Sequence, residues 1–447
     1  MSHSLQVEIS NGQIWKIALP IGMALMVPQL NLIINNIFLG HHSEHSLAIA
    51  SITGIYYLVF AGIGFGLNNG LQTLISRRAG ENRPDEIGKL FAQGVFIGLA
   101  ISVFAILFTF FITPVLFNMF LKPEQADPSI AFLRIRIFGL PFLYVYQLRN
   151  ALLVGINKSK LLIVGTLAEA AANIFFDYTL IFGKLGMPAM GFNGAAVASI
   201  ISEFTGMFVI FLVLSRKGIA QQYALFTSLQ VKKAYIKLIT KISGPLVFQH
   251  GASILAWFFF YMLVARNTSQ TDLAVSTTMR TVFAFFGTFF WALAATTNSM
   301  VSNVIGQAKK DQVLYLVNKI TRLSIVIAFF VCAVLNLFPD VYLSLFRADA
   351  QFIETGVPVL RAVAFAMIIL SIGTIWLNAV TGTGNSQMTF WIEILAVVLY
   401  CIYVYVVLEV RHMSILWGWM SEVLYWTVLF AFSFIYMKSK KWQGKII

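Results

Sequence analysis

Glu169-Ala-Ala-Ala-Asn173-Ile-Phe-Phe-Asp177 lies inside an apolar run from Leu161 to Phe182 that is long enough to cross a bilayer. On a helix, positions i, i+4 and i+8 drift only about 80° while climbing about 12 Å, so two acids and an amide make one polar stripe. Glu169 falls near mid-membrane, where a carboxylate costs roughly 3 kcal/mol by insertion scales. Two readings of such acids stand. Either they face a water-filled path and carry protons, ions or substrate, or they only hydrogen-bond to neighbouring helices. Two acids plus Asn173 on one face exceed what packing requires, which favours a coupling site.

Working outward, the chain has 447 residues, is 59% hydrophobic and only 11% charged, with a mean hydropathy of +0.81. Soluble domains do not have this composition, and the expectation is an all-α integral membrane protein. Its apolar blocks run about 20 to 28 residues, too long and too continuous for the alternating strands of a barrel. Cys332 and Cys401 both fall in apolar spans, which suggests neither a disulfide framework nor a metal site. The polar start, Met1 to Gly12, precedes an apolar run too long for a signal-peptide core, so uncleaved insertion is expected.

A net charge of +13 does not point to nucleic acid, because the basic residues sit in short links. Arg77, Arg78, Arg83 and Lys89 form one such link, Lys158 and Lys160 another, then Arg216, Lys217, Lys232 and Lys233, then Lys309 and Lys310, with Lys438, Lys440 and Lys441 in the tail. By the positive-inside rule these links face the cytoplasm, which places both termini there and requires an even number of spans. A multi-pass protein of the plasma (inner) membrane follows, in contact with the lipid bilayer and expected to be a monomer. The opposite links, His41-His42-Ser43-Glu44-His45 and Asp340 to Asp349, are richer in acid and histidine.

Twelve spans are expected, at 14–39, 47–75, 89–115, 131–154, 161–182, 194–214, 238–265, 273–302, 315–338, 357–380, 387–408 and 414–437. They divide the chain into a segment 1–13, an N-lobe 14–214, a basic linker 215–237, a C-lobe 238–437 and a tail 438–447. The halves repeat. Leu47-Ala48-Ile49-Ala50-Ser51 reads against Leu273-Ala274-Val275-Ser276-Thr277, and Ser76 to Gly80 against Ser302 to Gly306, both at an offset of 226. Pro20 pairs with Pro245 at 225, and Gly155 with Gly382 at 227. Six spans per repeat give both halves the same orientation, related by an axis along the membrane normal, a plan that places a transport site near the midplane. Pro20 and Pro245 each remove a backbone hydrogen bond and permit a bend, although proline is also common in membrane helices without one.

In order and spacing, Ala18-Leu19-Pro20, Asn35-Asn36-Ile37-Phe38-Leu39-Gly40, Ser76-Arg77-Arg78-Ala79-Gly80-Glu81-Asn82, Gly155-Ile156-Asn157, Asn173-Ile-Phe-Phe-Asp177-Tyr178, Ile181-Phe182-Gly183 and Gly194 to Ser199 resemble the multidrug and toxic compound extrusion (MATE) transporters. That family belongs to a wider group that includes flippases of lipid-linked sugars. The resemblance implies two pseudo-symmetric six-helix lobes forming a V-shaped cavity, and export of organic cations against inward H+ or Na+, with no other cofactor. It further implies a cation site made by an aspartate late in span one, an asparagine and an aspartate in span five and a hydroxyl in span six. Asn173, Asp177 and Ser199 match these positions, whereas the span-one position is Asn35. Glu169 supplies an extra acid. The expected titrating pair is therefore Glu169 and Asp177, with Asn35, Asn173 and Ser199 as neutral ligands. H+ is favoured, because a desolvated carboxyl gives up its charge readily; Na+ at Asp177, Asn173 and Asn35 is the rival.

Many relatives carry a span-seven glutamate at the position that is Ser253 here, preceded by Gln249 and His250. His250 reads either as a proton carrier or as a hydrogen-bonded wall residue. Trp257-Phe258-Phe259-Phe260 in span seven and Phe283 to Trp291 in span eight are candidate walls for hydrophobic or cationic small molecules. No metalloprotease, nucleophile-elbow or phosphate-loop motif is present in the sequence, so the chain does not read as an enzyme. The rival function is a flippase of a lipid-linked saccharide or other anionic lipid, which Arg134, Arg136, Arg280 and Arg361 would serve if they face the cavity.

Overall fold

A computed structural model describes residues 5–42, 44–225, 230–445 and 447, and within these the side chains of 30, 32, 33, 35–37, 40–42, 44–48 and 51 lie outside the description. Regular structure among the described residues is helical throughout. Eleven helical stretches among them are long and apolar enough to cross a membrane, and the helix Asn11–His42 stands where the first span is expected. The span-five helix is Leu162–Phe182 and the span-six helix Phe192–Arg216. Span seven is Lys233–Asn267 and span eight Gln270–Gly306.

Local chemistry accounts for the ends. Proline, which needs no intrahelical partner for its nitrogen, opens Pro84–Phe111 and Pro123–Arg136. Ser269 and Asp272 form a reciprocal capping box at 3.1 Å before span eight. Asp349 accepts the Gln351 amide at 2.8 Å at the start of Ala350–Gly382, and Gly183 ends span five at φ 67°. Span four runs longer than expected, Pro123–Gly155, and tightens to a 3-10 turn at Ile137–Gly139 before Pro141. The eleventh helix, Ser386–Val404, ends in a π-turn at Tyr405–Val410, and the twelfth is divided into Ile415–Trp419 and Ser421–Lys438.

Polarity is arranged for lipid rather than water. Large apolar side chains such as Phe104, Phe120, Phe248 and Phe330 are exposed, while Ser202, Thr296, Thr297 and Thr321 are buried. Each of those hydroxyls donates to the carbonyl four residues earlier, at 2.6 to 2.8 Å. In a helix without water to turn to, this is the nearest free acceptor.

Two compact units emerge, Leu19–Val247 on one hand and Met1–Ala18 with Phe248–Ile447 on the other. Each passage from one unit to the next occurs inside a helix and beside its proline. Ala18 and Leu19 precede Pro20, and Val247 and Phe248 follow Pro245.

The sequence repeat recurs in backbone detail. Asn82 and Ala308, 226 apart, both take a left-handed conformation at φ 54° and 63°, as do Asn157 and Gly384 at φ 60° and 85°. In the first turn Glu81, Asn82 and Arg83 donate to Arg77, Ala79 and Arg78, and Gln307, Ala308 and Lys309 donate to Asn303, Ile305 and Val304. Gly155 rests on Ile75, and Gly382 on Val301 and the Asn298 carbonyl. A Cβ at Gly155 would meet Ile75 Cγ2 at 2.5 Å, whereas one at Gly382 would meet the Asn298 oxygen at 2.7 Å. The β-branched Ile75 yields only at the cost of its preferred helix rotamer, whereas a carbonyl inside a helix cannot yield without the backbone. Gly382→Ala is therefore expected to destabilise the purified protein by about 1–3 kcal/mol, and Gly155→Ala by less. Denaturant titration in detergent checks the order, and equal losses would show that Ile75 is as rigid as backbone.

Candidate functional site: buried carboxyls in each unit

Span five buries one face, including Thr166, Asn173, Asp177 and Leu180, with Glu169 half-buried at its edge. The stripe expected from the sequence thus turns inward within the Leu19–Val247 unit. Gly165 and Gly206 let spans five and six approach closely, since a Cβ on either would lie 3.3–3.4 Å from the other's carbonyl oxygen. A Cβ at Gly206 would also stand 2.9 Å from the Glu169 Cβ and 3.1 Å from the Tyr146 ring. Gly206 therefore makes the room in which Glu169 sits.

Around these acids is a network that the sequence reading did not assemble. Tyr146 shares a 2.9 Å hydrogen bond with Thr166 and is hydrogen-bonded to Glu169. Arg149, wholly buried, lies with its guanidinium carbon 3.9 Å from the Tyr146 ring centroid and donates from Nε to the Tyr146 carbonyl at 3.2 Å. Its two terminal nitrogens find no hydrogen-bond acceptor among the described residues. Glu203, 5% exposed, is held by Arg136 through a two-pronged ion pair of 2.5 and 2.9 Å. Tyr57 lies under that guanidinium at 3.7 Å and donates to Glu203 at 3.3 Å. Glu169, Asp177 and Glu203 thus lie on spans five and six, with Glu203 paired to Arg136 and Glu169 hydrogen-bonded to Tyr146.

Asp177 is fully buried and Asn173 is 5% exposed. Ser199 is half-buried and makes no side-chain hydrogen bond among the described residues. Asn35 belongs to the helix Asn11–His42, but its side chain lies outside the described residues. Of the arginines weighed for the flippase reading, Arg134, Arg280 and Arg361 are exposed and Arg136 is neutralised by Glu203. Arg149 was not among the arginines weighed; its only sequence signal was a third arginine, beside Arg134 and Arg136, in the apolar span 131–154.

In the other unit, the carboxyl missing from span seven arrives from span eleven. Glu393, 1% exposed, accepts Ser253 Oγ at 2.6 Å, Gln249 Nε2 at 3.2 Å and the Tyr425 hydroxyl. Ser253 and Gln249, singled out in the sequence as the place of an absent acid, thus hold one. Glu422, 3% exposed, accepts Trp426 Nε1 at 3.0 Å. Neither acid has a cation within salt-bridge distance among the described residues, and a cavity of about 20 Å³, room for one water, lies among Ser253, Trp257, Tyr400, Glu422 and Tyr425. His250 is half-buried. The aromatic run of span seven divides: Phe258 is 61% exposed, while Phe260 is buried. Trp257 and Phe260 pack with Tyr261 and Trp419, and Trp257 also lines the small cavity. No group of three or more metal-ligating side chains occurs among the described residues.

A profile of the family described as MatE matches residues 20–179 and 246–406, one block in each half. Over 447 aligned residues the chain is 23% identical to a protein of Thermotoga maritima named probable multidrug resistance protein NorM, covering 97% of this chain and 93% of that one. Among solved structures, a MATE protein in complex with MaL6 superposes with a TM-score of 0.89 at 17% identity over 98% of both chains. A Pyrococcus furiosus MOP-superfamily transporter, reported with a binding pocket of reverse polarity that suggests a different function, superposes at 0.86 with 16% identity, covering 99% of this chain and 98% of that one. Both likenesses establish the fold.

Proposed function

We propose, on the premise that this chain belongs to the MATE family, that it is a secondary active exporter of hydrophobic or cationic small molecules, working by alternating access and exchanging substrate for H+ through Glu169 and Asp177. The observation that carries this reading is the polar stripe of span five, where Asp177 and Asn173 are buried and Glu169 is hydrogen-bonded to Tyr146. Glu203 is paired to Arg136, so the proton is assigned to Glu169 and Asp177. A proton entering from one side would neutralise these carboxyls, and an organic cation would compete for the same negative charge. Relatives named as multidrug resistance proteins support the substrate class. Of the arginines weighed for an anionic lipid, Arg136 is neutralised by Glu203.

A second reading has its own support: Glu393 and Glu422, with no cation at salt-bridge distance, form another carboxyl pair that could carry the proton. One experiment addresses both. In proteoliposomes loaded with a fluorescent organic cation, export should follow an imposed pH gradient and ignore an imposed Na+ gradient. Glu393→Gln should keep at least about half of that export if the first reading holds. Drive by Na+ alone would overturn the proton assignment, and loss of export in Glu393→Gln would move the coupling to the second unit.

A further inference from the structure

In the unit containing Phe248–Ile447, a cavity of about 300 Å³ opens at the basic end of the ninth helix, Val313–Leu337. Asn11, Tyr315, Asn318, Lys319, Arg322 and Leu323 line it, so it presents two cations, two amides and a phenol, and no acid. Lys319 Nζ stands 5.6 Å from the Tyr315 ring centroid. Neither Lys319 nor Arg322 makes an ion pair among the described residues.

The internal repeat shows that this is not a generic feature of the fold. At an offset of 226, Tyr315, Asn318, Lys319, Arg322 and Leu323 correspond to Lys89, Ala92, Gln93, Phe96 and Ile97. In that half the sequence is free of charge from Leu90 to Phe120. Gln93 is occupied there by chain: its Nε2 donates to the Gln230 carbonyl at 2.9 Å and its Oε1 accepts the Lys232 amide at 3.0 Å. The matching segment before span one, Leu5 to Val7, is held elsewhere. Asn303 donates to the Leu5 carbonyl at 3.0 Å and accepts the Val7 amide at 3.1 Å. The position of Gln93 is therefore released in the second half, carries a cation and faces an open cavity.

Depth in the bilayer selects the ligand. Arg322 is the last charge before an uncharged run from Leu323 to Phe338, about 24 Å of helix. Hydrocarbon therefore begins next to Arg322, and the cavity lies at the level of lipid headgroups. We propose that this cavity binds the phosphate headgroup of an anionic phospholipid, with Lys319 and Arg322 on the phosphate oxygens and Asn11 and Asn318 as hydrogen-bond partners. The site is independent of the transport reading above.

The purified full chain, in detergent with equal amounts of phosphatidylglycerol and phosphatidylcholine, tests this by native mass spectrometry of the retained lipids. Wild type should retain phosphatidylglycerol preferentially. Lys319→Gln with Arg322→Gln should lose about fivefold per cation removed, and the charge-preserving Lys319→Arg with Arg322→Lys should keep the preference. An unchanged preference in the glutamine variant, or an equal loss in the charge-preserving one, overturns the site. Displacement of the lipid by millimolar glycerol phosphate would overturn the headgroup assignment in favour of a soluble phosphate.

Discussion

Asp177→Asn should cut the substrate gradient that the exporter sustains by about 50-fold at an imposed pH difference of about 1.7 units. Exchange of one proton for one monovalent cation moves no net charge, so the pH difference alone drives it, and each pH unit, about 1.4 kcal/mol, is a factor of ten in the concentration ratio. A carrier that exchanges one proton per cycle through this carboxyl loses that full factor when the carboxyl can no longer load a proton. Asparagine keeps the size and most of the hydrogen bonding of a side chain that is wholly buried in span five, so the helix should pack as before. Glu169→Gln should act in the same direction, because Glu169 lies two turns earlier on the same stripe and is hydrogen-bonded to Tyr146. The measurement is the steady-state ratio of a fluorescent cation across proteoliposomes at fixed gradient, beside a melting curve for each variant. Wild-type ratios in both variants would remove these acids from coupling.

Arg136→Met should be the most destabilising single change in the Leu19–Val247 unit, at about 3–5 kcal/mol. The Arg136 and Glu203 side chains are 12% and 6% exposed and paired through both guanidinium nitrogens. Removing one partner of a buried pair strands the other charge without solvent, whereas replacing both with apolar groups of similar volume is often neutral or better. The double variant Arg136→Met with Glu203→Leu should therefore recover most of the loss, and Tyr57, which stacks under Arg136, should retain an apolar neighbour. Denaturant titration of the three proteins decides. A double variant as unstable as the single one would mean that the pair supports more than its own charges.

Hydropathy and charge in the sequence were enough to locate the spans, because lipid forces every backbone amide into a local partner and leaves the helix as the cheapest way to cross. Leu162–Phe182 and Phe192–Arg216 depart from the expected 161–182 and 194–214 by a residue or two. The largest departures, at the starts of spans four and ten, occur where Pro123–Gly155 and Ala350–Gly382 begin well before the expected apolar runs 131–154 and 357–380. Hydropathy does not record such adjustments. The offset of 226 was equally legible, since an Asn82 and an Ala308 that share a left-handed turn sit in repeating sequence.

What the chain's order of residues determined by itself is a twelve-span helical protein in two like halves, with an acidic stripe on span five, because helical periodicity and transfer from water to lipid act on near neighbours. Only the tertiary structure decided who meets whom. It tied Glu203 to Arg136, set Arg149 beside Tyr146, and brought Glu393 to Ser253 across 140 residues of sequence. Those pairings depend on which helix faces pack together, and the charge left over on each face, which bears on function, exists only once the faces have met.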